Sequence, residues 1–398
     1  SLADHERMSK AVTAVTKDVE KGTRIAVVVS AMGKTTDLLL SAVKNASNGK
    51  VDKRELDDIL AMGERTSVRI FAAALKANGV ESRYFDPLDQ EWPIITDDVF
   101  SNANPILEQC KERIQKYVLP LVEKGVVPVI AGFVGRTIDG KVTTLGRGGS
   151  DTTAFILAKA LKANEVILVT DSEGIMSADP KIIDKTKSLR EIDVNTLVGL
   201  ADSGTKFIHR KALKYKDPSI NVRVINHTHG DLNKEGTLIT GALPTELDVA
   251  IASLFPAASI TVVGRGISEK PTILQELTET VKTHSSLLGL SVDHNSIILY
   301  ASEEGDSKSL LDKVHETILK HEETMAMSVR RNLAFIRVKG IGLEDTPGII
   351  GKISETLRLN DINIFGLLTI TSSILLFVDW TEKERAITLI KNALQNNR

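Results

Sequence analysis

The stretch Thr144-Leu145-Gly146-Arg147-Gly148-Gly149-Ser150-Asp151-Thr152-Thr153 holds the densest chemistry in the chain. Three glycines within four positions strip the backbone of side chains and admit φ > 0, so a ligand's oxygens can approach several N–H groups at once. The residues that follow place Ala154, Ile156, Leu157 and Leu161 at helical spacing, which makes the stretch a glycine loop feeding a helix N-terminus. Unpaired first-turn amides and the positive end of the helix dipole suit such a junction to an anion. Arg147 adds a planar fork for a carboxylate, and Ser150 and Asp151 are expected at the N-cap. A tight turn with a good cap accounts for one glycine and one Ser or Asp, but not for three glycines around an arginine.

Three more loops fall at the ends of expected strands: 30–36, 170–174 and 204–207. Together the four supply backbone amides, hydroxyls, Arg147, Lys34, Lys206, and the acids Asp151, Asp171 and Glu173. That set positions polyanions, and it suits phosphoryl transfer better than hydride transfer or nucleophilic hydrolysis. The sequence has no GxxxxGK[ST] segment and no GxGxxG after its first strand, which excludes a P-loop and argues against a dinucleotide fold. The eight histidines lack the spacing of a metal site.

The elements that must hold these loops read as an α/β domain over 1–242. Helical periodicity covers 1–20, a β-branched run covers 24–30, and a long helix spans 56–77 with Gly63-Glu64-Arg65 in its middle. A mid-helix glycine costs about 1 kcal/mol. Either a backbone packs on Gly63, or a kink there presents Glu64 and Arg65 to a ligand. Strands follow at 82–85, 125–133, 165–170, 222–226 and 236–239, with a helix over 104–123 broken at Pro120 and a hairpin at Asp139-Gly140. Alternation of strands and helices implies a mostly parallel sheet. Beyond Pro244 lies a repeat: Val262-Val263-Gly264-Arg265-Gly266 stands over Val338-Lys339-Gly340-Ile341-Gly342, and the same shift puts Pro271 over Pro347, Ile273 over Ile349 and Ile298-Leu299 over Ile374-Leu375. Each copy reads strand, glycine turn, helix, strand, strand, helix, giving α+β modules over 243–328 and 329–398.

The length, 398 residues, fits two or three domains. With a formal net charge of -2 and no basic stripe carrying aromatics, nucleic acid is not implied. One cysteine, Cys110, excludes an intrachain disulfide framework and reads as an inert thiol on a helix. Apolar runs are too short to span a membrane and the opening residues are no signal peptide, so a cytoplasmic protein is expected.

The segments VVVSAMGKTTDLL, ILAMGERTSVRIFAAAL, TTLGRGGSDTTA, TDSEGIMSADP and GTKFIHRKA, in this order and ahead of paired modules, resemble the aspartate kinases of the amino-acid kinase superfamily. The repeat resembles a pair of ACT domains. The resemblance covers essentially the whole chain. It implies a three-layer sandwich with an eight-stranded, mainly parallel sheet, followed by two ferredoxin-like ACT modules. It also implies ATP-dependent phosphorylation of the side-chain carboxylate of L-aspartate, the first step toward lysine, threonine and methionine.

Carried over residue by residue, the resemblance implies that Arg147 clamps a carboxylate of aspartate beside Ser150 and the Gly148 and Gly149 amides. Glu64 would hold the ammonium, Ser30 and Thr36 would line the pocket, and Asp151 would organise the reacting groups. Thr170, Asp171 and Met176 would meet ATP on its adenosine side, with Lys181, Lys206 and Phe207 along its base and phosphates; Mg2+ is expected between the phosphates. A lysine or threonine effector is expected near the second module's turn, at Asp345, Pro347, Gly348 and Asn363, and a homo-oligomer through the ACT modules. There are departures. The family opens with a strand ending Lys-Phe-Gly-Gly-Thr/Ser whose lysine supports the transferred phosphoryl group; Ser1-Leu2-Ala3-Asp4 continues that motif in phase, so the strand is expected ahead of Ser1. Met176 stands where the family usually has tyrosine, and His209-Arg210-Lys211 replaces His-Pro-Arg. Two alternatives stay open: a superfamily member acting on glutamate or a carbamate, and a catalytically silent amino-acid sensor.

Overall fold

Apolar spacing sets the helices of the first unit, Ser1–Leu243, in a computed structural model that describes residues 4–179, 182–201, 208–243, 247–340, 343, 347–370 and 373–395. Helix α1 (His5–Glu20) starts where the Asp4 carboxylate accepts the Arg7 N–H, and it turns Met8, Val12 and Val15 inward. The β-branched run narrows to β1 (Val27–Val29). Helix α2 (Thr35–Ala46) buries no residue, whereas α3 (Lys53–Ala77) runs unbroken through Gly63 and buries a stripe from Asp57 to Leu75. Strand β3 (Val127–Ala131) lies between β1 and β2 (Ser82–Phe85), parallel to both and buried along its whole length. The helix expected over 104–123 comes as α4 (Leu107–Arg113), a π-helical turn at Ile114–Val118, and α5 (Leu119–Glu123). The widened turn accommodates Pro120, which has no N–H to donate.

A hairpin of β4 (Val134–Arg136) and β5 (Val142–Thr144) follows. Its loop has three residues, not the two the Asp139-Gly140 pair suggested, because Thr137 N–H donates to the Lys141 carbonyl across it. Helix α6 (Gly149–Leu161) leads into β6 (Glu165–Thr170), and a second section of sheet runs β6-β8-β9-β7, comprising β7 (Glu191–Asp193), β8 (Asn221–Asn226) and β9 (Thr237–Thr240). Helices α7 (Val194–Ala201) and α8 (Arg210–Leu213) lie between β7 and β8 in the chain. Pairing is mainly parallel, as expected. Among the described residues the sheet stands in sections of three and four strands plus the hairpin, where the resemblance implied eight strands in one. No described helix is long and apolar enough to cross a membrane.

The second unit, Pro244–Arg398, realises the repeat. Its elements are β10 (Asp248–Ile251), β11 (Ala257–Gly264), α9 (Pro271–His284), β12 (Leu287–Asp293), β13 (Ser296–Ser302), α10 (Ser307–Ile318), β14 (Thr324–Lys339), α11 (Ile349–Arg358), β15 (Gly366–Ile370), β16 (Ser373–Asp379) and α12 (Lys383–Gln395). One seven-stranded sheet runs β12-β13-β11-β14-β16-β15, with β10 also on β14. The first part of β14 pairs with β11 and the last part with β16 and β10. The sequence division at 328/329 therefore falls inside one strand, and 248–251 completes the second module's sheet although it precedes the first module. The same constant shift carries 248–251 onto 324–327, the first part of β14, so a strand ahead of each module in the chain joins the sheet of the other. Each module has its own helix-covered core, around Ile260, Val262 and Leu299 in one and Ile336, Val338 and Leu376 in the other. On the opposite face Tyr300 stacks on Phe377 at 3.9 Å, and a side chain at Gly366 would run into the Tyr300 hydroxyl.

Candidate active site

Thr144 ends β5 and Gly149 begins α6, so 145–148 form the loop. Gly146 and Gly148 take φ of 73° and 74°, and both are hemmed in: a Cβ would stand 2.8 Å from Asn102 Oδ1 at the first and 2.5 Å from His209 Cβ at the second. The left-handed Gly148 is itself the N-cap, which corrects the expectation that Ser150 and Asp151 cap the helix. The chain has already turned at Gly148, so these two fall in the first turn. The Ser150 hydroxyl instead accepts a hydrogen bond from the Ser30 hydroxyl at 2.8 Å. Gly132, just past β3, lets Ser150 come so close, since a Cβ there would lie 2.7 Å from Ser150 Oγ. The α6 N-terminus thus sits over the carboxyl ends of the parallel strands β1 and β3, where open α/β sheets hold ligands. Arg147 is exposed, with no hydrogen bond or ion pair among the described residues.

The Gly63-Glu64-Arg65 segment resolves into three roles. A Cβ on Gly63 would stand 2.8 Å from Ala31 Cβ, so glycine lets α3 pack against the segment after β1. Glu64 is 3% exposed; its Oε1 accepts the Ala31 N–H at 3.1 Å, and its Oε2 has no partner among the described residues. Burial pushes its pKa up to about 7. Arg65 does not reach toward a ligand but pairs with buried Asp86 at 3.0 Å, joined by Arg69 at 2.5 Å. Asp151 keeps some surface open yet sits deep in protein, which raises its carboxyl to about 6. Thr36 is half-buried in the first turn of α2. Ser30, Glu64 and Ser150 are therefore brought together, with Asp151 and the Gly148-Gly149 backbone on the same helix end.

The other end of the sheet is built differently. Parallel pairing sets Thr170 beside Asn226. Asp171 accepts Arg7 Nη1 at 2.7 Å and lies 3.5 Å from His227 Nε2, while Glu173 accepts Asn226 Nδ2 at 2.7 Å and meets His229 Nε2 at 2.8 Å. Burial and the Arg7 charge hold His227 below the usual histidine range. Met176 bridges to Ser188, and the Ile175 N–H donates to Thr237 Oγ1 at 2.8 Å, fixing the loop after β6. Lys181, Lys206 and Phe207 lie outside the described residues.

Sequence reasoning missed the supports beneath the loop. Asp57 is fully buried on α3, two turns before Glu64. It accepts the Thr144 N–H at 2.9 Å and hydroxyl at 2.8 Å, and the Ser101 N–H at 2.8 Å and hydroxyl at 3.1 Å. The signal was an acid at helical spacing among buried apolar positions. Lys211, in the sequence only a departure from His-Pro-Arg, donates to Asn102, Ala103 and Leu145. In the second unit Gly348, at φ 80°, caps α11, Pro347 precedes it, Asn363 is exposed, and Asp345 lies outside the described residues. The matching turn of the first module is closed by its own contacts: the Gly266 N–H donates to Asn295 Oδ1 at 2.9 Å, and Lys270 pairs with Glu323 at 3.0 Å.

Comparison with known proteins gives the family. Residues 1–226 match the Amino acid kinase family. An aspartokinase of Thermus thermophilus is 30% identical over 407 residues, covering 99% of this chain and 96% of the relative. Among solved structures, an aspartate kinase from Synechocystis has a TM-score of 0.77 at 23% identity over 99% of this chain and 68% of that one. E. coli aspartokinase III, in complex with aspartate and ADP, has a TM-score of 0.54 at 22% identity over 99% of this chain and 98% of that one. These two share the fold, an amino-acid-kinase sandwich followed by regulatory modules. With the family match over more than half of its length and a full-length relative at 30% identity, the chain belongs to the amino acid kinase family, as one of its aspartokinases.

Proposed function

We propose that the chain transfers the γ-phosphoryl group of ATP to the side-chain carboxylate of L-aspartate, forming 4-phospho-L-aspartate and ADP, the first step toward lysine, threonine and methionine. An oxygen of the carboxylate attacks the γ-phosphorus and the bond to the β-phosphate oxygen breaks, so the protein's work is alignment and charge neutralisation. The observation that carries the reading is the unpartnered Glu64 Oε2, buried next to the Ser30–Ser150 pair. A buried carboxyl with one open oxygen is built for a cationic donor, and a substrate ammonium would return its pKa to the ordinary range. Arg147, free and exposed on its loop, supplies the complementary fork for a substrate carboxylate. The Gly148 amide, Ser150, Ser30 and Thr36 complete that side, whereas the Gly149 N–H already donates to the Gly146 carbonyl at 3.1 Å and would have to be shared with the substrate; Asp151 orders the reacting groups.

Thr170, Asp171 and Met176 would meet the nucleotide, with Lys181, Lys206 and Phe207. Because Asp171 is already engaged by Arg7 and His227, the nucleotide must share or displace those contacts. Mg2+ would take most of its ligands from phosphate and water. The described residues, in which no three His, Cys, Asp or Glu side chains converge, fit that role, with Asp151 the carboxylate on the loop's own helix. A lysine or threonine effector would bind at Pro347, Gly348 and Asn363 with Asp345, a placement supported by the closure of the first module's turn. A homo-oligomer through the ACT modules and a cytoplasmic location belong to the same reading.

The test incubates the protein with ATP, Mg2+, aspartate and hydroxylamine. Aspartate-dependent ADP release matched by hydroxamate supports the proposal. ADP release without hydroxamate, or glutamate replacing aspartate equally well, contradicts it.

A further inference from the structure

We infer that Lys211 is a positioning residue that fixes the Arg147 loop by hydrogen-bonding it to the 102–103 segment, an inference that rests on the reading of that loop as the substrate-carboxylate site. Lys211 stands on α8, and its Nζ donates to Leu145 O at 2.7 Å, Ala103 O at 2.9 Å and Asn102 Oδ1 at 2.7 Å, with Asn102 O farther off at 3.3 Å. An ammonium has three N–H groups, and three close acceptors from two distant segments use all of them. No carboxylate of the described residues forms an ion pair with it, and burial brings its pKa down to about 8. A half-buried charge hydrogen-bonded only to neutral oxygens, with the Asp97 carboxylate favouring it from beyond ion-pair distance, is a demanding arrangement, and the object it holds is the residue that opens the glycine loop.

The surroundings agree. The same Asn102 Oδ1 fills the place a Gly146 side chain would take, and His209, two residues before Lys211, does the same at Gly148. The Ala103 N–H donates to the Thr144 carbonyl at 2.9 Å, and Asp57 binds Thr144 from the other side. Arg147 lies between Gly146 and Gly148, so its backbone position follows from contacts made through Lys211. A planar guanidinium keeps the charge but spreads its donors in one plane, whereas the ammonium aims three donors outward from one point. Lys211→Arg should therefore hold the loop in part, and Lys211→Met should not.

The experiment compares the wild type with Lys211→Met, Lys211→Arg and Asn102→Ala in the full chain, by steady-state kinetics and by hydrogen exchange of the ligand-free protein. For Lys211→Met the expected result is an aspartate KM raised about tenfold, an ATP KM within about twofold, and amide exchange over 144–151 accelerated about tenfold with α1 unchanged. Lys211→Arg should recover most of both effects, and Asn102→Ala should move both the same way by about threefold. Unchanged exchange over 144–151 in Lys211→Met overturns the inference, as does an equal rise in both KM values. If Lys211→Met does not fold, Asn102→Ala decides: a change confined to aspartate KM and the loop supports the inference, and no change overturns it. Faster loop exchange in a protein whose wild type makes no hydroxamate would uphold the support by Lys211 while refuting the proposed function.

Discussion

Two buried carboxylates on one face of α3, Asp57 and Glu64, are used in opposite ways. Asp57 accepts four hydrogen bonds, two from Thr144 and two from Ser101, which fills the acceptor capacity of a carboxylate. Glu64 accepts the Ala31 N–H and leaves Oε2 without a partner. Burial is nearly equal at 0% and 3%, so burial does not separate a structural acid from a binding acid here. Saturation of the oxygens does. The first carboxylate completes the fold beneath the glycine loop, and the second waits for a donor that the described residues do not supply.

Removing the saturated acid should have the largest effect. Asp57→Ala leaves four donors facing a cavity, and at about 1–3 kcal/mol for each buried unsatisfied group, with incomplete additivity, the loss should reach roughly 4–6 kcal/mol. Chemical denaturation would measure it, and a loss below about 1 kcal/mol would place Asp57 with Glu64 rather than against it. Glu64→Gln should do the reverse: aspartate kcat/KM falls about 100-fold or more while the melting temperature changes little, because the amide oxygen keeps the Ala31 N–H and the loss of a buried charge offsets the two amide donors placed where Oε2 stood.

The comparison also has a pH signature. Glu64 has a folded pKa of about 7 against an ordinary 4.5, so the folded state holds the extra proton between those values. Stability is full below about pH 4.5, declines as pH rises toward 7, and is level above; the drop should be at most about 3 kcal/mol. Asp151, at about 6, adds a decline of the same sign at slightly lower pH. Glu64→Gln should remove the upper part of the slope and Asp151→Asn the lower, as read from denaturation at a series of pH values. The smallest effect belongs to a third buried ionisable group. Cys110 is saturated like Asp57 but neutral, its Sγ accepting from and donating to Ile95, and burial raises its thiol to about 11. A thiol reagent should leave it unmodified until the protein unfolds, and Cys110→Ser should change stability by about 1 kcal/mol or less.

The glycine loop, Arg147 and Glu64 were legible in the sequence because glycine and charge are rare together and their physical reasons are local. The order of the two modules was legible through their repeat. What escaped was non-local. Asp57 looks like any surface acid on a helix until Ser101 and Thr144, both far away in the chain, are folded onto it. Lys211 looked like an unexplained departure until three carbonyl-type oxygens from elsewhere converged on it. The strand β10 escaped because Val249 pairs with Val338, a partner with a whole module standing between the two in the chain. Ser150 was misplaced as a cap because the sequence does not say that Gly148 has already turned the chain.

The measurement that tests the central claim most directly is calorimetric titration of aspartate near pH 6 in buffers of different ionisation enthalpy, on the wild type and on Glu64→Gln. If the open oxygen receives the substrate's ammonium, Glu64 must ionise on binding. The wild type should then release about one proton per aspartate bound, and the variant should bind weakly and release far less. Equal affinity and equal proton release in the two proteins would contradict the account.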